Sequence, residues 1–221
     1  MNIILGVIIG QGYSTIAWIP EAEGSWALPL LHERISSGSS PILQAASQLK
    51  LVCEQSISPV LAVLGREYGN ASWVLAIADI QADCLMRVRS NACLWSAPPA
   101  YSGRGRPRKH GQKMRVNDPT TWLQADTVIE IDEHPELGQV RVSQWLDLHF
   151  YRAAQQRVNL ILALKNEAHV KRSAVSTLVV GFGWRTNSSS RNSLVQVFTT
   201  FWSGSLVEIW RCNDCIGHCL T

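Results

Sequence analysis

The residues best equipped for chemistry in this chain lie in Tyr101–Arg115 (YSGRGRPRKHGQKMR). This stretch holds Arg104, Arg106, Arg108, Lys109, Lys113 and Arg115 together with His110, and no carboxylate. Gly103, Gly105, Gly111 and Pro107 exclude a regular helix. A flexible strip of one sign attracts a polyanion, and nucleic acid is the polyanion that suits it best. The alternative is a solvated surface loop that only keeps the protein in solution. A second cluster, Cys212, Cys215, His218 and Cys219 (CNDCIGHC), has side chains that zinc accepts. Its ligands are crowded, with His218 and Cys219 adjacent, whereas structural zinc sites join two separated pairs. The tail reading, incidental residues rather than a metal centre, is preferred. None of His32, His110, His134, His149, His169 and His218 falls in a Ser/His/Asp or Cys/His arrangement recognisable in sequence, and His149, between Leu148 and Phe150, reads as a packing histidine.

The core of the strip, Arg104-Gly105-Arg106-Pro107-Arg108-Lys109, resembles an AT-hook. In that motif an extended Arg-Gly-Arg-Pro core lies in the narrow minor groove of A·T-rich DNA, where the negative potential is high. The net charge of +3 over 221 residues is modest, so the clustering of the cations carries the argument. The length allows one domain or slightly more, with enough apolar content for a core. Met1–Ile9 (MNIILGVII) is too short to span a bilayer and lacks a basic leader and a small-residue cleavage site, so it reads as a buried strand. A cytoplasmic, reducing location follows as an expectation, with the cysteines as thiols.

The elements that must position the strip alternate between strands and helices in the first half. Met1–Gly10 and Tyr13–Pro20 read as β segments around a Gly-Gln-Gly turn, and Ser25–Arg34 as a third strand with Trp26, Leu28, Leu30 and His32 on one face. After the loop at 36–41, Ile42, Ala45, Ala46, Leu49, Val52 and Cys53 keep helical spacing. Pro59–Leu64 is a continuous apolar run suited to a buried strand of a parallel pair. Gly69–Ile77 reads as a short helix and Cys84–Arg89 as a strand. The basic loop then lasts to about Trp122. Asp126–Glu133 and Gln139–Trp145 form a hairpin pattern, Arg157–Leu164 a strong strand, and Leu178–Phe182 a weaker one. From Thr186 the sequence turns polar and loses amphipathic period, so residues 185–221 are expected to stand apart from the core as an unrelated or disordered tail.

Six strings share one likeness. Tyr13–Trp18 (YSTIAW), Ser25–Leu30 (SWALPL), Glu67–Asn70 (EYGN), Arg87–Asn91 (RVRSN), Ser102–Gly111 (SGRGRPRKHG) and Trp145–Phe150 (WLDLHF), in this order, resemble bacterial insertion-sequence transposases of the DDE type. The resemblance covers Tyr13 to about Leu164. It implies an α/β fold: a ribonuclease H-like mixed sheet with helices over residues 1–184, incomplete at the N-terminus, with a β-rich insertion at about 90–150 carrying the basic loop. It implies DNA as partner, possible self-association or association with a full-length transposase, and, in intact relatives, Mg²⁺ held by two Asp and one Glu for phosphodiester cleavage and strand transfer.

The chain departs from that pattern at each carboxylate. Met1–Gly12 contain no acid where the first Asp is expected. Gly65 stands where the second Asp should end the central strand, beside the cation Arg66. No Tyr-Arg…Glu…Lys motif follows Trp184. Glu67 is near enough to the strand end to be considered as a substitute. Asp79, Asp83, Asp118, Asp132 and Asp147 read as solvated carboxylates or caps, with Asp118 opening a turn. The expectation is a transposase fragment with no intact catalytic site and no cofactor of its own, attached to DNA through Arg104, Arg106, Arg108, Lys109, Lys113 and Arg115. The alternative is a non-enzymatic DNA-binding protein using the AT-hook-like loop.

Overall fold

The computed structural model describes residues 11–19, 27–134, 138–165 and 175–182. The expectations for Met1–Gly10, for the tail and for the Cys212–Cys219 cluster lie outside these residues. The architecture is mixed α/β. Strands β1 (Gly12–Trp18) and β2 (Leu28–Ile35) pair antiparallel and form a sheet of their own. Helix α1 (Pro41–Gln55) follows, opened by Ser40 with Pro41 in the first turn, where the lost N–H costs no helical bond. Gln48, fully buried, pins α1 to the hairpin: Ser14 Oγ donates to its Oε1 at 2.6 Å, and its Nε2 donates to the Ser14 carbonyl at 3.2 Å.

A six-stranded sheet forms the frame, in the order β3-β4-β10-β9-β8-β7. Its members are β3 (Val60–Gly69), β4 (Ala82–Val88), β7 (Thr127–His134), β8 (Gly138–Leu148), β9 (Val158–Lys165) and β10 (Val175–Phe182). Strands β3 and β4 run parallel, as the apolar run at Pro59–Leu64 suggested, and every other pairing is antiparallel. A short helix, α2 (Ala71–Ala76), joins β3 to β4, and the Asn70 side chain caps it by accepting from the N–H groups of Ser72 and Trp73. Gly69 is required where β3 meets β4, because a Cβ there would lie 2.2 Å from the Arg87 carbonyl oxygen.

The period of two along the strands divides the core between the faces of this sheet. On one face Ala62, Leu64, Met86, Leu160, Leu162 and Trp145 pack with Ala46, Leu49, Trp73 and Val74 of the helices. On the other a smaller cluster gathers Leu85, Val140, Val142, Ile161 and Ala163. Two features depart from expectation. Strand β3 is buried on one face only: Leu61 is 44% exposed. With Ile16–Ile19, Leu49, Val52 and Val60, Leu61 lines an open groove of about 710 Å³ between β1, α1 and β3. In addition, β7, β8 and β9 share one sheet with β3 and β4. Periodicity identifies such strands but not their neighbours, and here β10, read from the sequence as weaker than β9, links the two groups.

Candidate nucleic-acid interface

The cationic strip is bounded by structure rather than running free to Trp122. Strands β5 (Cys93–Trp95) and β6 (Lys113–Arg115) pair antiparallel, with Leu94 on Met114. Leu94, Met114 and Val116 are fully buried, so the base of the loop is rooted in the main core. Lys113 and Arg115 therefore belong to a strand, a correction to their reading as part of a flexible loop. The Arg115 backbone is held further, its N–H donating to Thr121 Oγ1 at 2.9 Å and its carbonyl accepting from Trp122 Nε1 at 2.9 Å. At the neck, Gly111 N–H donates to the Ser96 carbonyl and Ser96 N–H to the Gln112 carbonyl, both at 3.0 Å. Only glycine fits at 111, since a Cβ would lie 2.2 Å from the Ala97 carbonyl oxygen.

Beyond the neck every residue from Tyr101 to Lys109 is exposed. Gly103 and Gly105 adopt φ of +81° and +76°, and the Tyr101 hydroxyl donates to the Gly105 carbonyl at 2.7 Å. The Arg-Gly-Arg core is thus bent, not extended as an AT-hook in a groove would be. Among the described residues Arg104, Arg106, Arg108 and Lys109 meet no carboxylate, which leaves their charge to solvent and to any polyanion.

Behind the strip stands a group that sequence reasoning did not assemble. His149 is 0% exposed, and its backbone exchanges hydrogen bonds with Trp95, both at 2.9 Å. Its Nδ1 lies 2.8 Å from an Arg157 guanidinium nitrogen, and its Nε2 lies 2.9 Å from His110 Nδ1. Arginine can only donate, so His149 Nδ1 is an acceptor and its proton sits on Nε2, which donates to His110. Burial first, then the charges of Arg157 and His110, push the His149 pKa from its usual 6.5 down to about 4. The packing role expected for His149 holds, with a fixed tautomer added to it. Rings continue outward: His110 and His149 meet edge to edge through their hydrogen bond, ring centres 5.2 Å apart and 23° from coplanar, while Tyr151 stacks on His110 at 4.5 Å and Trp95 leans on Tyr151 at 5.3 Å. Lys113 Nζ lies 5.5 Å from the Trp95 ring centre. Tyr151, carried on a short 3₁₀ turn (Tyr151–Ala153), is 60% exposed. The only sequence signal for this group was His110 within the strip and His149 in the Trp-Leu-Asp-Leu-His-Phe string.

The candidate acids are dispersed. Glu67 Oε2 lies 2.6 Å from Arg89, and Glu67 Oε1 lies 3.4 Å from Arg66, so its charge ties the ends of β3 and β4 together. Asp118 caps the turn that follows β6, accepting from Thr120 N–H at 3.2 Å. Asp147 takes the unusual φ of +61° and lies 3.9 Å from Arg157. Burial raises the Asp83 carboxyl above its ordinary range. Gly65 is half-buried, and a Cβ built there would meet nothing within 4 Å. Among the described residues no three His, Cys, Asp or Glu side chains converge on a point that could hold a metal ion. These donors do not fit a two-metal centre, which needs several carboxylate oxygens free of competing cations. The described thiols Cys53, Cys84 and Cys93 are unpaired, and burial lifts Cys84 to about 12. No helix among the described residues is long and apolar enough to cross a membrane.

Comparison with known proteins gives one positive result. A family model described as DDE superfamily endonuclease matches residues 4–149, a span that takes in β1 through β8 and the whole cationic strip. No curated protein and no solved structure matches the chain.

Proposed function

Since this chain belongs to the DDE superfamily endonucleases, we propose that it is a transposase-type protein that binds DNA and has lost phosphodiester chemistry. Membership of the family supports DNA as substrate. The single observation that carries the attachment reading is the strip itself: Arg104, Arg106, Arg108 and Lys109 project into solvent with no described carboxylate to neutralise them, on a neck that fixes their place. Lys113 and Arg115, held on β6, extend the same charge toward the sheet. The mixed α/β frame with its parallel β3 and β4 is compatible with a ribonuclease H-like core, and Gly65 at the end of the apolar stretch of β3 supports the loss of catalysis.

The test pairs two measurements. Binding of the whole protein to a duplex, followed by fluorescence anisotropy, should weaken steeply with salt, by a slope of about 0.9 per phosphate neutralised. The same preparation should leave supercoiled DNA intact in Mg²⁺ or Mn²⁺. Metal-dependent nicking that disappears in Glu67→Ala would overturn the loss of chemistry, and salt-insensitive or absent binding would overturn the attachment.

A further inference from the structure

We propose that the exposed face of Tyr151 is a stacking platform for an unpaired nucleobase. This rests on the reading that the strip binds DNA, and it adds the substrate feature that the same site would select: a single-stranded segment or a frayed end rather than a closed duplex.

Three rings make a ladder from the core to solvent. Its inner rung, His149, is fully buried and hydrogen-bonded at both ring nitrogens. The middle ring, His110, is tied to it edge to edge by the Nε2–Nδ1 hydrogen bond with 23° between ring planes, and Tyr151 stacks on His110 at 4.5 Å with 24°. One face of Tyr151 is thus covered and Trp95 lies 5.3 Å away at a tilt of 51°, yet the residue remains 60% exposed, which leaves ring surface open for a further partner. The neighbours of Tyr151 on its turn behave differently: Phe150 is 7% and Ala153 2% exposed, so the turn buries its other apolar side chains and presents this one. A ring held on two sides has little rotamer freedom left to lose when a planar ligand stacks on it.

The surrounding charge identifies the ligand. Lys109 immediately precedes His110, Lys113 sits against Trp95, and Arg152 follows Tyr151 as an exposed cation. An open π face with cations on the residues beside it in the chain suits a base with its phosphates, because bases stack on aromatic side chains regardless of sequence while Lys and Arg hold the backbone. An aromatic amino acid would gain the stacking but leave these cations unused.

The test compares three labelled DNA probes on the whole protein: a blunt duplex, the same duplex with a short single-stranded overhang, and one whose overhang is abasic. The last two carry the same phosphates, so their difference isolates the bases. The expected result is about tenfold tighter binding of the normal overhang than of the abasic one. Tyr151→Ala should erase that difference, and Tyr151→Trp should preserve it. A 2-aminopurine in the overhang should lose fluorescence on binding the native protein and keep it with Tyr151→Ala, a signature that a merely structural role would not produce. Equal affinity for the two overhangs, or a difference that survives Tyr151→Ala, overturns the platform and leaves DNA binding standing. Failure of all three probes to bind at low salt overturns the DNA reading and the platform with it.

Discussion

His149 donates from Nε2 to Nδ1 of His110 across 2.9 Å, while Arg157 donates to the opposite nitrogen across 2.8 Å. The arrangement holds while the His149 imidazole is neutral, because a proton added to it would land on the nitrogen facing Arg157. The groups facing the pair are Arg157 and, further off, Asp147, with the uncharged rings of Trp95 and Tyr151 alongside.

This sets a pH dependence with a definite sign. The His149 pKa falls from 6.5 to about 4 on folding, so the unfolded chain binds the extra proton first. The stabilisation is fully present above the unfolded value and is lost as pH drops from 6.5 toward about 4. Discounted for the partly exposed Arg157, the loss between pH 7.5 and 5 should be on the order of 1 kcal/mol. Urea midpoints across that range should fall, and His149→Phe should flatten the slope even though it lowers the midpoint overall.

Gly111→Ala should disturb the neck of the strip. The added methyl would meet the Ala97 carbonyl oxygen at 2.2 Å and Ser96 Oγ at 2.4 Å. Overpacking of this kind costs about 1–3 kcal/mol, and backbone has less room to yield than a side chain. Chemical denaturation should show the loss, and hydrogen exchange should show Ser96 and Gln112 opening with it.

Gly65→Asp makes the contrast. Its Cβ direction is open, so stability should change by no more than about 0.5 kcal/mol. Differential scanning calorimetry of the variant against the native chain checks this. A large drop in melting temperature would show that the site needs glycine for a reason other than space.

Arg104→Ala with Arg106→Ala should lower the dependence of log Kobs on log salt by about 2 and weaken all duplexes alike, whatever their sequence. Anisotropy titrations with A·T-rich and G·C-rich probes separate this from minor-groove readout. A loss confined to the A·T-rich probe would favour the AT-hook-like alternative, in which the loop would first have to release the Tyr101–Gly105 bond.

Glu67→Gln should cost little. Its ion pairs with Arg66 and Arg89 are exposed on the arginine side, and such pairs contribute about 0–1 kcal/mol. Thermal melts of Glu67→Gln, Arg89→Gln and the double variant form a cycle that measures the pair directly.

What the sequence revealed follows physical period and chemistry. The helix at Pro41–Gln55 was visible because Ala45, Ala46 and Leu49 recur at helical spacing, and all three are buried. Leu160, Ile161, Leu162 and Ala163 form a continuous apolar run because β9 is covered on both faces. The strip was legible as charge, since Arg and Lys without acids need no partner to be noticed. The ladder of His149, His110 and Tyr151 was not legible, because its members are 39 and 41 positions apart and meet only through the β5–β6 neck. Buried Gln48 was equally silent: a polar residue on the inner face of a helix makes sense only once Ser14 is seen opposite.

The position of β10 bears on how the molecule is made. Val179 and Val180 sit opposite Arg87 and Met86 on one side and opposite Ile161 and Leu160 on the other. During synthesis β4 leaves the ribosome some ninety residues ahead of the strand that must seal it. Contacts of such long range are formed late and slowly, and until then two half-sheets wait with bare edges toward each other. Nascent chains halted before Val175 should therefore be sensitive to protease along β4 and β9, and chains released past Phe182 should not.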